Sequence, residues 1–211
     1  MFVDSLEAPV PSSDDAHHLF RVLRLRDGES VTVSDGRGAW MPTTVSGTAL
    51  MPAGPVQYDP ALDDVTIAAA IPKGDRCEWM VQKLTEVGVA RIILLHCARS
   101  VVRWDASRAP KQLDRLRRVA REAAMQSRRV WLPVLDGPLD VADAMALPGA
   151  ALAEPGATAA TEPPRVVVIG PEGGFSTEEL SSSIPRIGLG PTVLRVETAA
   201  LVAAVRALTV S

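Results

Sequence analysis

The apolar positions fall into two regimes along the chain. Up to about residue 64 they come in short pieces of strand length, as at Ser30–Ser34 and residues 43–45. Asp-Gly pairs at 27–28 and 35–36 favour tight turns between such pieces, and Pro42, Gly47, Pro52, Gly54, Pro55 and Pro60 come at close intervals after them. This predicts a small β-barrel or sandwich over residues 1–64. From residue 65 strand and helix alternate. Residues 65–71 form an apolar run of strand length. Asp75 with Glu78 has the spacing of a capping box; Cys77, Met80, Val81, Leu84 and Val87 make an apolar stripe, and Gly88 stands where a helix would end. Residues 91–96 (RIILLH) predict the next strand. Pro110 suits the first turn of a second helix, with Leu113, Leu116, Ala120 and Ala123 on its inner face. Residues 165–170 (RVVVIG) have the continuous apolarity of a strand buried on both faces of a parallel sheet. Residues 147–164, rich in Ala, Pro and Gly, predict a loop of low order. The alternation predicts an α/β domain over residues 65–211.

Composition narrows the class. Apolar residues make up 47% of 211, enough for a packed core. No apolar run reaches the roughly 18–20 residues that span a bilayer, so no membrane partner is expected. Asp4 and Glu7 sit where a signal peptide would be basic and then apolar, which predicts a cytoplasmic protein. Cys77 and Cys97 lack metal-ligand spacing and are expected to be reduced, buried thiols; no metal site is expected. The net charge of −3 argues on average against nucleic acid, but the average hides a segregation. Residues 103–129 carry nine basic side chains against three acids, a local balance of +6. Such a segment can hold phosphates, or can simply be a solvated helix face.

Two segments carry candidate chemistry. Gly170-Pro171-Glu172-Gly173-Gly174-Phe175-Ser176 directly follows a predicted buried strand, and Ser176 with Glu179 forms a second capping-box pattern, predicting a helix just beyond it. Ligands of open α/β sheets bind beyond the carboxyl ends of strands, and glycines there let a ligand approach the backbone. A phosphate loop is disfavoured, since the Gly-Lys-Ser/Thr ending is missing and Glu172 would repel phosphate. The second segment, residues 189–201 (LGPTVLRVETAAL), runs from a Gly-Pro turn through Arg195 into an Ala/Leu helix; Glu197 and Thr198 there also read as capping residues.

GPEGGFS with LGPTVLRVETAAL after it resembles the paired signature of the bacterial 16S ribosomal RNA (uridine-N3) methyltransferase family, of the SPOUT class. His17-His18-Leu19, Arg21-Val22-Leu23-Arg24 and Asp35-Gly36-Arg37-Gly38 are similar to its N-terminal, PUA-like RNA-binding domain. Lys73-Gly74-Asp75-Arg76 with residues 82–88 (QKLTEVG) resembles its first catalytic-domain helix, and Arg99-Ser100-Val101, Glu122-Ala123-Ala124 and Gln126-Ser127 come next in order. The chain departs from the family at Val196, where Thr is usual, at Met125, where an acid or Cys is common, and at Arg128, where Gly is usual; residues 181–188 form a shorter helix and turn than the family's.

The resemblance implies a deep trefoil knot in the C-terminal domain, S-adenosylmethionine (SAM) bent into it, and a homodimer with active sites at the subunit interface. It implies 16S rRNA as substrate, within the assembled small ribosomal subunit. Its cofactor loops would draw on Leu152, after the strand near residues 151–154, on Ile169, Gly170, Pro171, Glu172, Gly173 and Gly174, and on Leu189, Gly190, Val193 and Leu194. RNA would be met by His17, Arg21, Arg24, Arg26, Lys73, Lys83, Arg99, Arg121, Gln126 and Arg128. Arg21, Arg24 and Arg26 have the spacing of a phosphate-facing stripe. Adjacent histidines, here on opposite faces of an expected strand, make a poor metal pair; RNA contact and surface packing are both open to them. Methylating uridine N3 requires exposing the base and losing its proton. Arg195 is the expected cation for the charge spreading over the uracil oxygens. Glu172 and Glu197 are open as base, as groups orienting Arg195, or as structural residues. Two other classes compete: a SPOUT methyltransferase acting on transfer RNA or a ribose 2'-hydroxyl, and a non-catalytic RNA-binding relative.

Overall fold

The computed structural model describes residues 1–162, 164–181 and 184–209. The chain forms two compact units, Met1–Ala61 with Ala124–Leu132, and Leu62–Ala123 with the remainder from Pro133. The division expected from the sequence is a single cut after residue 64; in the structure residues 124–132 also belong to the first unit.

In the first unit, α1 (Ser13–His17) begins at Ser12, whose hydroxyl accepts from the Asp15 amide at 3.1 Å. One π-helical turn, His18–Val22, continues it. The His17-His18 pair therefore lies on a helical segment and not on the expected strand: the Ser-Ser-Asp-Asp run before it supplies a helix start that outweighs the β-prone residues after it. Four strands come next: β1 (Ser30–Ser34), β2 (Ala39–Ser46), β3 (Ala49–Pro52) and β4 (Gln57–Tyr58). β2 is the centre, antiparallel to β1 on one edge and to β3 and β4 along the other. Its side chains alternate strictly, with Ala39, Met41, Thr43 and Val45 buried, and Val3, Leu19, Val33 and Leu50 complete this core. The β1–β2 turn closes on Asp35, whose carboxylate accepts from the amides of Arg37 and Ala39 at 2.7 and 3.1 Å. Residues 130–132 lie against that turn: the Ser34 hydroxyl donates to the Val130 carbonyl at 2.9 Å, and the Leu132 amide to the Gly36 carbonyl at 2.9 Å. Gly38, at φ 95°, has the Trp131 ring where a Cβ would stand, so no other residue fits there.

The second unit is a six-stranded, all-parallel sheet flanked by helices. Its strands are β5 (Thr66–Ala70), β6 (Arg91–His96), β7 (Val134–Asp140), β8 (Ala150–Ala153), β9 (Val166–Ile169) and β10 (Arg186–Ile187), in spatial order β10-β8-β9-β5-β6-β7. The chain lays β5, β6 and β7 outward in one direction, then places β8, returns to set β9 between β8 and β5, and adds β10 outside β8. β5 and β9 are buried at every position, as their unbroken apolar runs predict. The helices are α2 (Arg76–Val87), α3 (Ala109–Gln126), α4 (Val141–Met145) and α5 (Val196–Leu208), and α2 packs on α5. α2 ends at Gly88 in the left-handed conformation, φ 103°, with its amide on the Leu84 carbonyl at 3.2 Å. The capping box expected at its start does not form. Asp75 already has a helical ψ of −9°, so its side chain caps nothing, and Glu78 instead meets Arg115 of α3 at 2.5 Å. Within residues 147–164 the structure has β8, and the described residues beyond it carry no helix or strand; Pro163 lies outside the described residues. Ser182 and Ser183, in the segment noted as short, also lie outside them. No described helix is long and apolar enough to cross a membrane.

Leu84 is fully buried between α2 and the sheet. Leu84→Ala should lower unfolding stability by about 3 kcal/mol, through lost burial and the cavity left behind. Urea unfolding monitored by circular dichroism measures it, and a loss below about 1 kcal/mol would mean that α2 is not anchored there.

Candidate active site

Beyond the carboxyl ends of β8 and β9 lies a cavity of about 310 Å³. Its walls come from three segments: residues 152–155 after β8, the loop leaving β9 at Gly170, and residues 189–194 before α5. Leu152, Ile169, Gly170, Pro171, Glu172, Gly174, Leu189, Gly190, Val193 and Leu194, all expected at a cofactor site, line it. Gly173, the remaining member of that set, does not. Its carbonyl accepts from Arg99 at 3.1 Å, and a Cβ there would meet the Arg99 side chain. Phe175, Leu180, Thr192, Val196 and Ala199 also line the cavity, and the sequence reading misses them. Helical spacing carries a signal for Val196 and Ala199, one turn apart on α5. Gly174 and Gly190 have left-handed or far-positive φ of 68° and 159°, and a Cβ on either would meet no atom of the described residues within 4 Å. The lining is mostly apolar, with backbone exposed at glycines, an arrangement that suits a small ligand with a flat apolar ring and polar edges.

The 170–174 loop is held from both sides. Ser176 and Glu179 form the expected reciprocal box: the Ser176 amide donates to Glu179 at 2.7 Å and the Glu179 amide to the Ser176 hydroxyl at 3.2 Å. The other Glu179 carboxylate oxygen accepts from the Ala98 amide at 2.6 Å, tying the turn to the end of β6. Among the described residues the box opens only a 3-10 turn, Glu179–Ser181, and not the expected helix. After β8, the Glu154 amide donates to the Ile187 carbonyl at 2.9 Å and the Gly188 amide to the Thr158 carbonyl at 2.9 Å. The Ala157 carbonyl stands where a Gly188 Cβ would be, so these two stretches of chain lie in direct contact.

The charged residues are arranged differently from the expectation. Glu172 and Glu197 do not face Arg195. Both face Arg76, at the start of α2: Nη1 is 3.1 Å from Glu172 Oε1 and 3.6 Å from Glu197 Oε1. Glu197 is 7% exposed, and its Oε2 has no hydrogen-bond partner among the described residues. One guanidinium therefore joins the 170–174 loop to the start of α5. Arg76 belongs to a matched motif, yet the motif alone gives it no role. The signal for it is electrostatic: a cation in the first turn of a helix opposes the helix dipole, so it implies a carboxylate partner elsewhere. Arg195 is the N-cap residue of α5, exposed, with no hydrogen bond or ion pair on its side chain among the described residues.

Of the residues expected to meet RNA, His17, Arg21, Arg24, Arg26, Gln126 and Arg128 are in the first unit, all exposed. Arg21 sits in the π turn and Arg24 has a left-handed φ of 55°, so the regular stripe expected of 21, 24 and 26 is not how they are set. In the second unit Lys73 and Arg99 are exposed, Arg121 is half-buried, and Lys83 pairs with Glu86 at 2.8 Å. Part of the basic α3 face is likewise neutralised, by Arg115–Glu78 and by Arg117–Asp114 at 2.8 Å. Cys77 and Cys97 are free and buried; desolvation raises both thiols to about 12, which leaves them unreactive at neutral pH.

Residues 59–208 match the model of the RNA methyltransferase domain family, and residues 11–47 that of the RNA methyltransferase PUA domain. Ribosomal RNA small subunit methyltransferase E of Mycobacterium bovis is 34% identical, with 96% of this chain and 88% of that one aligned. The protein of the same name from Bacillus subtilis is 29% identical over 93% of this chain and 89% of its own. The solved structure of a Legionella pneumophila methyltransferase in complex with SAM superposes at a TM-score of 0.84, with 26% identity, 100% of this chain and 96% of that chain covered.

Arg76→Ala would leave the Glu197 carboxylate buried without a counter-charge. The expected cost is about 1–3 kcal/mol, below that of a fully buried pair because a third of the arginine side chain is in solvent. Adding Glu197→Gln should recover part of it, since a neutral amide needs no cation. Urea unfolding of the single and double variants checks this; a double variant no more stable than Arg76→Ala would contradict it.

Proposed function

The chain belongs to the RNA methyltransferase family that includes ribosomal RNA small subunit methyltransferase E, and from that premise we propose that it transfers the methyl group of SAM to N3 of a uridine in 16S rRNA. The observation that carries the reading is the cavity of about 310 Å³ at the ends of β8 and β9, framed by the two signature segments. Its size and apolar lining fit the adenosine part of the cofactor, with backbone groups at Gly170 and Gly190 beside the ring edges. When bound, SAM supplies a methyl group already activated on a sulfonium, so no covalent enzyme intermediate is required.

The chain's own residues then have three tasks. The loops orient the reacting atoms, which by itself accounts for much of the acceleration. Arg195, without a partner among the described residues and adjacent to the cavity-lining Leu194 and Val196, stabilises negative charge on the uracil oxygens as N3 loses its proton. Glu172, which lines the cavity and is half exposed, is the better placed carboxylate to accept that proton. Glu197, buried and outside the lining, holds Arg76 instead.

In the same reading residues 1–64, joined by residues 124–132, form the PUA-like, barrel-type RNA-binding domain, and the rest of residues 65–211 the SPOUT domain. The contact of Gly188 with Ala157 is what a trefoil knot at this place would require. Active protein is a homodimer in the cytoplasm and acts on the assembled small ribosomal subunit. The support for the dimer is apolar surface exposed on the 189–194 wall of the cavity and on α5: Val193 is 82% and Val205 43% exposed. A single species of monomer mass in sedimentation at micromolar concentration would rule the dimer out.

Arg195→Ala should reduce single-turnover methylation of small subunits on the order of 10²–10³-fold. Arg195→Lys should recover only part, because it restores the charge without the planar fork. SAM affinity by calorimetry should change little in both. Native turnover in Arg195→Ala, or a loss explained wholly by SAM no longer binding, would remove Arg195 from the chemistry.

A further inference from the structure

The first unit contains a groove of about 480 Å³ that the methyl-transfer site does not use. Its lining includes the apolar Phe2 and Val130 and the Trp40 indole, half-buried and fixed by its N–H donating to Asp59 at 2.8 Å. Arg128 and Arg129 also line it. Neither guanidinium has an ion pair or hydrogen bond among the described residues. Arg129 is half-buried, and desolvation lowers its pKa, so its charge is held in the groove without compensation. Arg128 has a left-handed φ of 57°, a conformation that glycine adopts freely and that a β-carbon penalises.

We propose that this groove is a subsite for one nucleotide of the RNA, with the base against Trp40 and the flanking phosphate on Arg128 and Arg129. It rests on the reading that the chain acts on RNA. Base stacking on an aromatic face with cations along the backbone is the general chemistry of single-strand recognition, and the groove volume suits a single nucleotide. Asp59 also lines the groove, with one carboxylate oxygen accepting from the Trp40 N–H, so a phosphate is disfavoured beside it and is placed at Arg128 and Arg129. Arg128 here carries a backbone strain that glycine would avoid, and a phosphate contact offsets it.

The test uses the full chain and a labelled single-stranded RNA oligonucleotide of mixed sequence, titrated at several salt concentrations with SAM calorimetry in parallel. Arg128→Gly suits the backbone, so it should keep or raise the melting temperature while weakening RNA about 3–10-fold and lowering the salt slope by about 0.7. Arg129→Ala should act in the same direction, and Trp40→Leu should weaken RNA about tenfold with the salt slope unchanged. SAM affinity should stay native in all three. Native RNA affinity and salt slope in Arg128→Gly and Arg129→Ala would overturn the subsite while leaving the methyltransferase reading intact. A native chain that binds SAM but no RNA would instead overturn the reading beneath it. Loss in Trp40→Leu alone, accompanied by a lower melting temperature, would assign Trp40 to the fold and also count against the subsite.

Discussion

A strand buried on both faces has no side chain to spare for chemistry, and this constraint organises the second unit. β5 and β9 bury every residue between layers of helix, so they only define where their ends lie. Chemistry is displaced to the loops beyond those ends. Two of these loops turn sharply at glycines beside the cavity, and the 170–174 loop is braced locally by the Ser176–Glu179 box and by Arg99 on the Gly173 carbonyl. The two loops must also be held relative to each other. The structure does this with charge: Arg76, anchored on the helix after β5, faces Glu172 on one loop and Glu197 at the end of the other.

The arrangement has an energetic logic. Glu197 is almost wholly buried, and a buried carboxylate is tolerated only when paired. Its contact with Arg76 is the longer of the two, and Oε2 has no partner among the described residues, so the pair is not fully satisfied as it stands. The same guanidinium reaches a half-exposed carboxylate that lines the cavity. Geometry at the cavity rim and stability of the α5 start are therefore linked through one side chain, whereas Arg195, next to the buried start of α5, has no ion pair or side-chain hydrogen bond among the described residues.

Much of the scaffold is legible in the sequence because burial writes a periodic signal. The strands at 30–34 and 91–96, the α2 stripe and its Gly88 cap, and the inner face of α3 all follow from apolar spacing. The failures share a different cause. The His17 helix and the uncapped Asp75 are decided by local hydrogen bonds that compete with propensity. β7 escapes notice because Gly137 and Pro138 interrupt its apolar run. The return of residues 124–132 to the first unit depends on partners nearly a hundred residues away, such as Ser34 for Val130, and leaves no trace in local pattern. In the site, motif position suffices to find the cavity walls. It pairs the carboxylates with the nearest arginine in sequence, whereas the structure gives them to one that is distant in sequence and close in space.

On the proposed function, the cavity between the two signature segments directs a methyl group to a uracil nitrogen. Small ribosomal subunits from cells lacking this modification, incubated with the full chain and isotopically labelled SAM, can be digested to nucleosides and the labelled product identified by mass spectrometry. The expected product is one labelled 3-methyluridine per 16S rRNA. Label on a ribose 2'-oxygen or only in transfer RNA, or no transfer by a chain that binds SAM, would contradict it.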